Sequence, residues 1–241
     1  MKIISAHQPA YLPWLGYFHK ILLSDEFVIM DDVQYEKNSY INRNQIVNNK
    51  QKFWLTIPLI NKSDNSGIIK EMELANHIWK VKHIKSIEYS YKKSPFFSEI
   101  MPIIESSLEI QSNYLIDYTN SFLFQILDYL DIETKIHFAS DLKIRSKKLD
   151  YVVELTKKLE GDLFVFGKLG SDYANKSTFE GNGIKAYFQN YLHPDYRQYN
   201  QDDFFSHISI IDLLFNYGSI ETVSVIMRSN VSKQDIVNYQ G

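Results

Sequence analysis

An α/β fold, a mainly parallel sheet flanked by helices, is predicted by three observations. Apolar runs of strand length at Lys2 to Ala6, Phe27 to Met30 and Leu163 to Phe166 read as short buried strands. The first two are joined by a loop through two prolines and a helix from about Trp14 to Ser24, a β-loop-α-β unit whose short crossover favours a parallel pair. Long stretches between 76 and 160 repeat apolar residues at spacings of three and four, the mark of amphipathic helices.

In order, Tyr40 to Asn44 begins a polar turn, and Lys52 to Pro58 is a strand that Pro58 closes. Asn61 to Gly67 is a loop by its Asn, Ser, Asp and Gly content, and Ile68 to Leu74 is a short strand. His77 to Tyr91 is a helix with Ile78, Val81, Ile84, Ile87 and Tyr91 on its inner face. Further helices run from Pro95 to about Ser107 and from Asn113 to Leu130. A strand at Thr134 to Phe138 leads through Ser140 to Leu142 into a helix from Leu149 to Leu159, with Gly161 at its C′ position. Strand Leu163 to Phe166 opens into the turn Gly167 to Ser171, and Ile184 to Gln189 is a final strand. Together these give one α/β domain over residues 1–241, with a helical lobe at about 76–131 and a C-terminal tail at about 219–241.

Composition narrows the chemistry. The 241 residues are 44% hydrophobic, enough for a sizeable core and a pocket. No cysteine is present, which excludes disulfides, thiolate nucleophiles and Cys-based metal sites. A reducing compartment is expected. Met1-Lys2 leads straight into a strand, without a secretory pattern, and no 18 consecutive apolar residues occur, so a cytoplasmic location and no membrane span are expected. A formal net charge of −3 argues against duplex nucleic acid as a partner. Locally, Lys80, Lys82, His83, Lys85, Lys92 and Lys93 lie along one helix and Lys143, Arg145, Lys147 and Lys148 form a second basic cluster; either is a solvated helix face or a landing site for the phosphates of a nucleotide-linked substrate. The 17 Tyr, 15 Phe and 3 Trp include many rings in polar company, which suits a pocket that stacks sugars or bases.

The chemistry-bearing residues concentrate near the N-terminus: His7, Gln8, Tyr11, Trp14, Tyr17 and Lys20, then Asp31, Asp32, Gln34, Asn42, Arg43 and Asn44. Open α/β sheets bind ligands where strands end, and His7 stands directly after the first strand, a suitable place for a general base. His193, before Pro194, is a second base. Asp31 and Asp32 follow the second strand, where neighbours point to opposite sides, so one faces the pocket while the other serves a turn and neither forms a joint metal site. Arg43, between Asn42 and Asn44, offers a bidentate fork to an anionic group. The turn after Phe166 could present backbone N–H groups to an anion, but it is not a P-loop, because Leu169 follows Lys168. Ser209 and Asp212 have the spacing of an N-cap and an acidic first turn.

These segments carry a family resemblance. His7-Gln8-Pro9, Tyr11-Leu12-Pro13-Trp14-Leu15-Gly16-Tyr17-Phe18, Lys20, Asp31-Asp32-Val33-Gln34, Asn42-Arg43-Asn44, Trp54-Leu55-Thr56, Asp172-Tyr173, Gly183-Ile184, His193-Pro194, Tyr196, Gln198, and Ser209 with Asp212 to Asn216 and Gly218 resemble, in order, the WbqC-like protein family. The resemblance implies a bacterial protein of O-antigen or other surface-polysaccharide (lipopolysaccharide) biosynthesis. It also implies amino-acyl (glycyl) transfer that forms an amide on a nucleotide-linked amino sugar. On that reading His7, Asp32 and His193 are catalytic, and Gln8, Tyr11, Trp14, Tyr17, Lys20, Asp31, Gln34, Asn42, Arg43, Asn44, Tyr173, Tyr196, Gln198 and Asn216 bind substrate. One departure stands out: Phe166-Gly167 occupies a place where the family is expected to have Ser-Gly, so no hydroxyl acts there.

Amide formation needs an activated acyl group, a base for the ammonium and a stabiliser for the oxyanion. No motif for a standard cofactor is present. ATP stays open as the activating nucleotide, although the strand-loop-helix element that matches the His-x-Gly-His spacing of adenylating enzymes carries aromatics in place of both histidines. The alternatives are another sugar-nucleotide transferase or an isomerase, and a non-catalytic sugar-nucleotide-binding partner.

Overall fold

A computed structural model describes residues 1–241 except 61–66, 169, 171–173, 175, 200 and 239–241. The expected loop at Asn61 to Gly67 falls almost wholly outside the described residues. Five strands form one sheet: β1 (Ile3–His7), β2 (Glu26–Ile29), β5 (Lys135–Phe138), β6 (Leu163–Phe166) and β7 (Lys185–Phe188). They lie in the order β5-β2-β1-β6-β7 with every pair parallel, so the α/β expectation is borne out. Residues Ile3, Ile4, Leu163 and Val165 are fully buried because helices cover both faces, which is why these strands read as apolar runs rather than alternating ones.

Side chains still alternate. Ile4, Ala6, Val28, Phe164 and Phe166 point to one face, where they pack with Tyr151, Val152 and Leu155 of α6 (Lys148–Lys158) and Phe179 of α7 (Lys176–Glu180). On the other face Ile3, Leu163 and Val165 meet Leu23, which follows α1 (Leu15–Leu22), and Ile236 of α9 (Lys233–Val237). The expected tail is thus partly core. His7 follows Ile3 and Ser5 in the alternation, so it faces α1.

The chain runs outward from β1 to β2 and β5, then returns to build β6 and β7 on β1's opposite side. That reversal makes the C-terminal ends of β1 and β6 the topological switch point, the edge at which open α/β sheets bind their ligands. The ends concerned are His7 and Phe166.

The helical lobe consists of α2 (Ile78–Tyr91), α3 (Phe97–Glu109) and α4 (Leu115–Tyr129), close to the expected spans. Its first helix is rotated from the expected face. Ile78 and Val81 are 65% and 55% exposed, whereas Trp79, His83, Ile87 and Tyr91 are buried. Large rings outweigh the isoleucines: Trp79 packs edge-on to Tyr118 at 5.3 Å, Tyr91 stacks on Phe215 at 4.5 Å, and Tyr11 shares a hydrogen bond with His83 Nδ1 at 2.8 Å.

Three further expectations are corrected. Tyr40 to Asn44 is not simply a turn, for Arg43 starts β3 (Arg43–Asn48), which pairs antiparallel with β4 (Gln51–Thr56). The two residues between them, Asn49 and Lys50, have φ of 49° and 57°, the left-handed pair of a type I′ hairpin turn. Ile68 to Leu74 is a 3-10 turn (Ile69–Glu71) held by isolated bridges, not a strand. The left-handed residue after α6 is Glu160, with φ of 54°; Gly161 is needed instead for space, since a Cβ there would lie 2.3 Å from Ile4 Cγ1.

Among the described residues one helix, α8 (Ile210–Met227), is long and apolar enough to cross a membrane, but it is 56% buried and Gly218 breaks its helical backbone, so a membrane span is not indicated.

Candidate functional site

His7 terminates β1 at the switch point and is half-buried. Its Nδ1 lies 2.8 Å from the Gln8 carbonyl oxygen, which can only accept, so Nδ1 carries the proton and Nε2 the lone pair. Among the described residues Nε2 has no partner. Burial, reinforced by the nearby Lys20 ammonium, pushes the His7 pKa down to about 4, which keeps the imidazole neutral at pH 7. Trp14 and Tyr17 hold the ring edge-on at 5.4 and 5.0 Å.

Lys20 comes from α1, one turn beyond Gly16 and Tyr17, and is buried against the end of β1. Its Nζ donates to the Ala6 carbonyl oxygen at 2.7 Å, and burial lowers its pKa to about 7. A buried amine with a lowered pKa thus lies near a neutral imidazole. Sequence reading placed Lys20 among binding residues only; its helical spacing behind an inward-facing Tyr17 was the available signal. The Tyr17 hydroxyl is buried without a described partner.

From His7 a wall of rings leads outward. Trp14 touches Tyr40 at 5.4 Å, Tyr40 touches Trp54 at 5.8 Å, and the Arg43 guanidinium lies 4.4 Å over the Trp54 ring. Tyr40 and Trp54 are each 39% exposed, so both rings are open to a ligand. Arg43 donates to the Asn38 carbonyl oxygen at 2.5 Å, while its buried Nε has no described partner. Arg43 and Asn42 line a cavity of about 170 Å³ with Lys37 and Asn38. Tyr40 and Trp54 are binding candidates that the sequence patterns do not single out: Trp54 lies on β4 and Tyr40 three residues before β3.

Beyond β6, a Cβ at Gly167 would meet nothing within 4 Å among the described residues. Asp32, after β2, accepts a hydrogen bond from Tyr151 at 2.6 Å. Asp31 is used internally, accepting from the Ser140 amide at 2.9 Å and the Ser140 hydroxyl at 2.7 Å. The two carboxylates thus separate as their strand alternation predicts.

Several expected binding residues spend their polar atoms inside the fold. Asn44 donates to the Leu12 carbonyl oxygen at 2.6 Å and is fully buried, which holds the loop after β1 against the hairpin. Asn42 donates to the Ile57 carbonyl oxygen at 2.8 Å and accepts from Tyr35 at 3.0 Å. Asn216 accepts from the Tyr199 amide at 2.7 Å. Tyr11 is committed to His83, as described. Gln34 is exposed and Gln8 half-buried. Tyr173 lies outside the described residues, as do Ser171 and Asp172 of the turn.

The late segment does reach the early one. Trp14 and Ser209 form a backbone bridge, and the Ile210 amide donates to the Pro13 carbonyl oxygen at 2.8 Å. Ser209 caps α8 by accepting from the Ile211 amide at 3.3 Å. Asp212, however, is a buried hub more than a first-turn acid: it accepts from Tyr91 at 3.0 Å, Tyr196 at 2.9 Å and Gln198 at 2.8 Å, and burial lifts its pKa to about 6. Tyr196 and Gln198 therefore organise this segment.

His193 donates from Nδ1 to the Pro194 carbonyl oxygen at 3.0 Å, leaving Nε2 buried and without a described partner. Rings of Tyr191, Phe204 and His207 surround it, and burial, then His207, lowers its pKa to about 4. No described contact joins it to His7. In this conformation its lone pair is enclosed, whereas that of His7 stands at the strand edge. Among the described residues no group of three His, Asp or Glu could hold a metal ion.

A family model described as the WbqC-like protein family matches residues 8–223. A curated relative, the uncharacterized protein Rv1507c of Mycobacterium tuberculosis (strain ATCC 25618 / H37Rv), is 31% identical over 222 residues, which is 91% of this chain and 95% of that protein. No solved structure matches significantly.

Proposed function

This chain belongs to the WbqC-like protein family, and on that premise we propose that the crevice over β1 and β6 transfers an amino-acyl group, glycyl or a close analogue, to the amine of a nucleotide-linked amino sugar in surface-polysaccharide biosynthesis. The observation that carries the reading is His7: a neutral imidazole at the end of the central strand, its Nε2 lone pair unpartnered, at the foot of an exposed aromatic wall.

The amine of the sugar attacks the acyl carbon, its proton passes to His7 Nε2, and the acyl carrier leaves with the electron pair of the broken bond. Lys20, titrating near neutrality, tunes and relays that proton. Asp32 orients the amine. Tyr40 and Trp54 stack on sugar faces, and Arg43 holds an anionic group of donor or acceptor. Gln8 and Trp14 border the amine. His193 acts only if its ring cluster opens.

The test is incubation with nucleotide-linked amino sugars and an activated amino acid, with and without ATP, followed by mass spectrometry of the sugar. An added amino-acyl unit that disappears in a folded His7→Ala variant supports the proposal. Undiminished product from that variant removes the base assignment. A bound sugar nucleotide that is never converted favours the non-catalytic partner, for which an exposed ring wall alone suffices.

A further inference from the structure

A cavity of about 600 Å³ lies away from His7, at the tip of the β3–β4 hairpin, against the C-terminal end of α2. We propose that this cavity is a nucleotide site, taking the phosphates and the base-bearing nucleoside of a nucleoside diphosphate.

Its lining offers two features, cations for the phosphates and exposed rings for the base. Lys92 and Lys93 follow α2 and line the cavity, and neither ammonium has a carboxylate partner among the described residues. Lys50 lines it from the hairpin turn, although Asp202 pairs with it and Asp203 adds further negative charge. None of the lining residues is acidic, so the cavity wall favours an anion. Tyr89 and Tyr199 line the same space and expose their rings at 59% and 42%, faces on which a base can stack. Tyr89 donates to Asn49 Oδ1 at 3.4 Å, and the Tyr199 backbone amide donates to Asn216 Oδ1 at 2.7 Å.

Asn48 and Gln201 complete the wall, with their side-chain oxygens turned into the protein. Cations and exposed rings in one cavity point to a nucleotide rather than to a bare anion.

The assignment adds to the proposed function by giving the nucleotide of the substrate a holding site, and it stands or falls separately from the chemistry at His7. Equilibrium binding of UDP, ADP and pyrophosphate is measured on the full chain by calorimetry at low and high salt. Wild type should bind one or more of the nucleotides, more tightly than pyrophosphate and more weakly as salt rises. Lys92→Gln with Lys93→Gln should weaken that binding roughly tenfold or more, and Tyr199→Ala should weaken the nucleotides while leaving pyrophosphate unchanged. His7→Ala should leave all of it intact. Circular dichroism melts identify any variant that has merely unfolded, in which case Lys93→Gln alone is used. Absent nucleotide binding, equal affinity for pyrophosphate and UDP, or indifference to the lysine changes would each overturn the proposal. Nucleotide binding here without amino-acyl transfer overturns the proposed function and spares this site.

Discussion

Replacing Lys20 by Met tests the claim that a buried amine has been kept at the crevice at the expense of stability. The folded pKa is about 7 and the ordinary value 10.5, so between these limits the unfolded chain binds more protons and stability rises with pH. Full stability from this group is reached above 10.5; at pH 7 the wild-type fold is about 4 kcal/mol short of it. Methionine keeps the stem and carries no charge, but it leaves the Ala6 carbonyl without its donor, a loss of roughly 1–3 kcal/mol. Lys20→Met should therefore be more stable than wild type at pH 7, by about 1–3 kcal/mol, and should lose about 2 kcal/mol of that advantage by pH 9. Urea unfolding followed by circular dichroism at the two pH values reads both numbers. A difference between the proteins that stays constant from pH 7 to 9 would show that the amine titrates normally and would remove Lys20 from proton handling.

Other outcomes follow from the same structure. Gly167→Leu should scarcely change the melting temperature, because its Cβ enters open space, yet should abolish transfer by filling the crevice; calorimetry beside the product assay decides it. Gly218→Ala should destabilise by about 3 kcal/mol, since its φ is 62° and a Cβ would lie 2.6 Å from the Phe96 ring, as denaturant titration will read. Acid should unfold the protein early: His7, His83 and His193 have folded pKa values near 4, so the unfolded state takes up protons preferentially as pH falls below about 6.5. Each histidine contributes stability that is complete above 6.5 and is lost toward pH 4, by up to about 1.4 kcal/mol per pH unit, measurable as proton uptake on unfolding. Asp212 opposes this weakly, because its raised pKa gives stability at low pH that fades as pH rises through about 6.

The parallel sheet was legible because strands buried on both faces must be apolar and short, and β1, β2 and β6 obey that rule. The hairpin arm β3 was hidden because its inward Asn44 is polar, satisfied by a carbonyl 32 residues away that no local pattern reveals. The inner face of α2 was misjudged for a related reason: a histidine becomes a core residue when Tyr11 bonds it, and then Ile78 and Val81 can face water. In the site, His7, Trp14, Tyr17 and Lys20 gather because a strand end and the next helix are neighbours in sequence as well as in space. Asn42, Asn44, Tyr196, Gln198 and Asn216 sit in the same motifs, and their residue types gave no sign that the fold would consume their hydrogen bonds. A motif marks what a fold needs without saying whether it is needed by the ligand or by the loop that meets it.

The most direct test of the site is an imidazole 15N spectrum of the protein at pH 7, with the His7 signals assigned from the His7→Asn variant, before and after addition of a nucleotide-linked amino sugar. A neutral Nδ1–H tautomer with Nε2 shifted by the added sugar is the predicted result. A protonated ring, or a His7 spectrum indifferent to a sugar that demonstrably binds, would contradict the account.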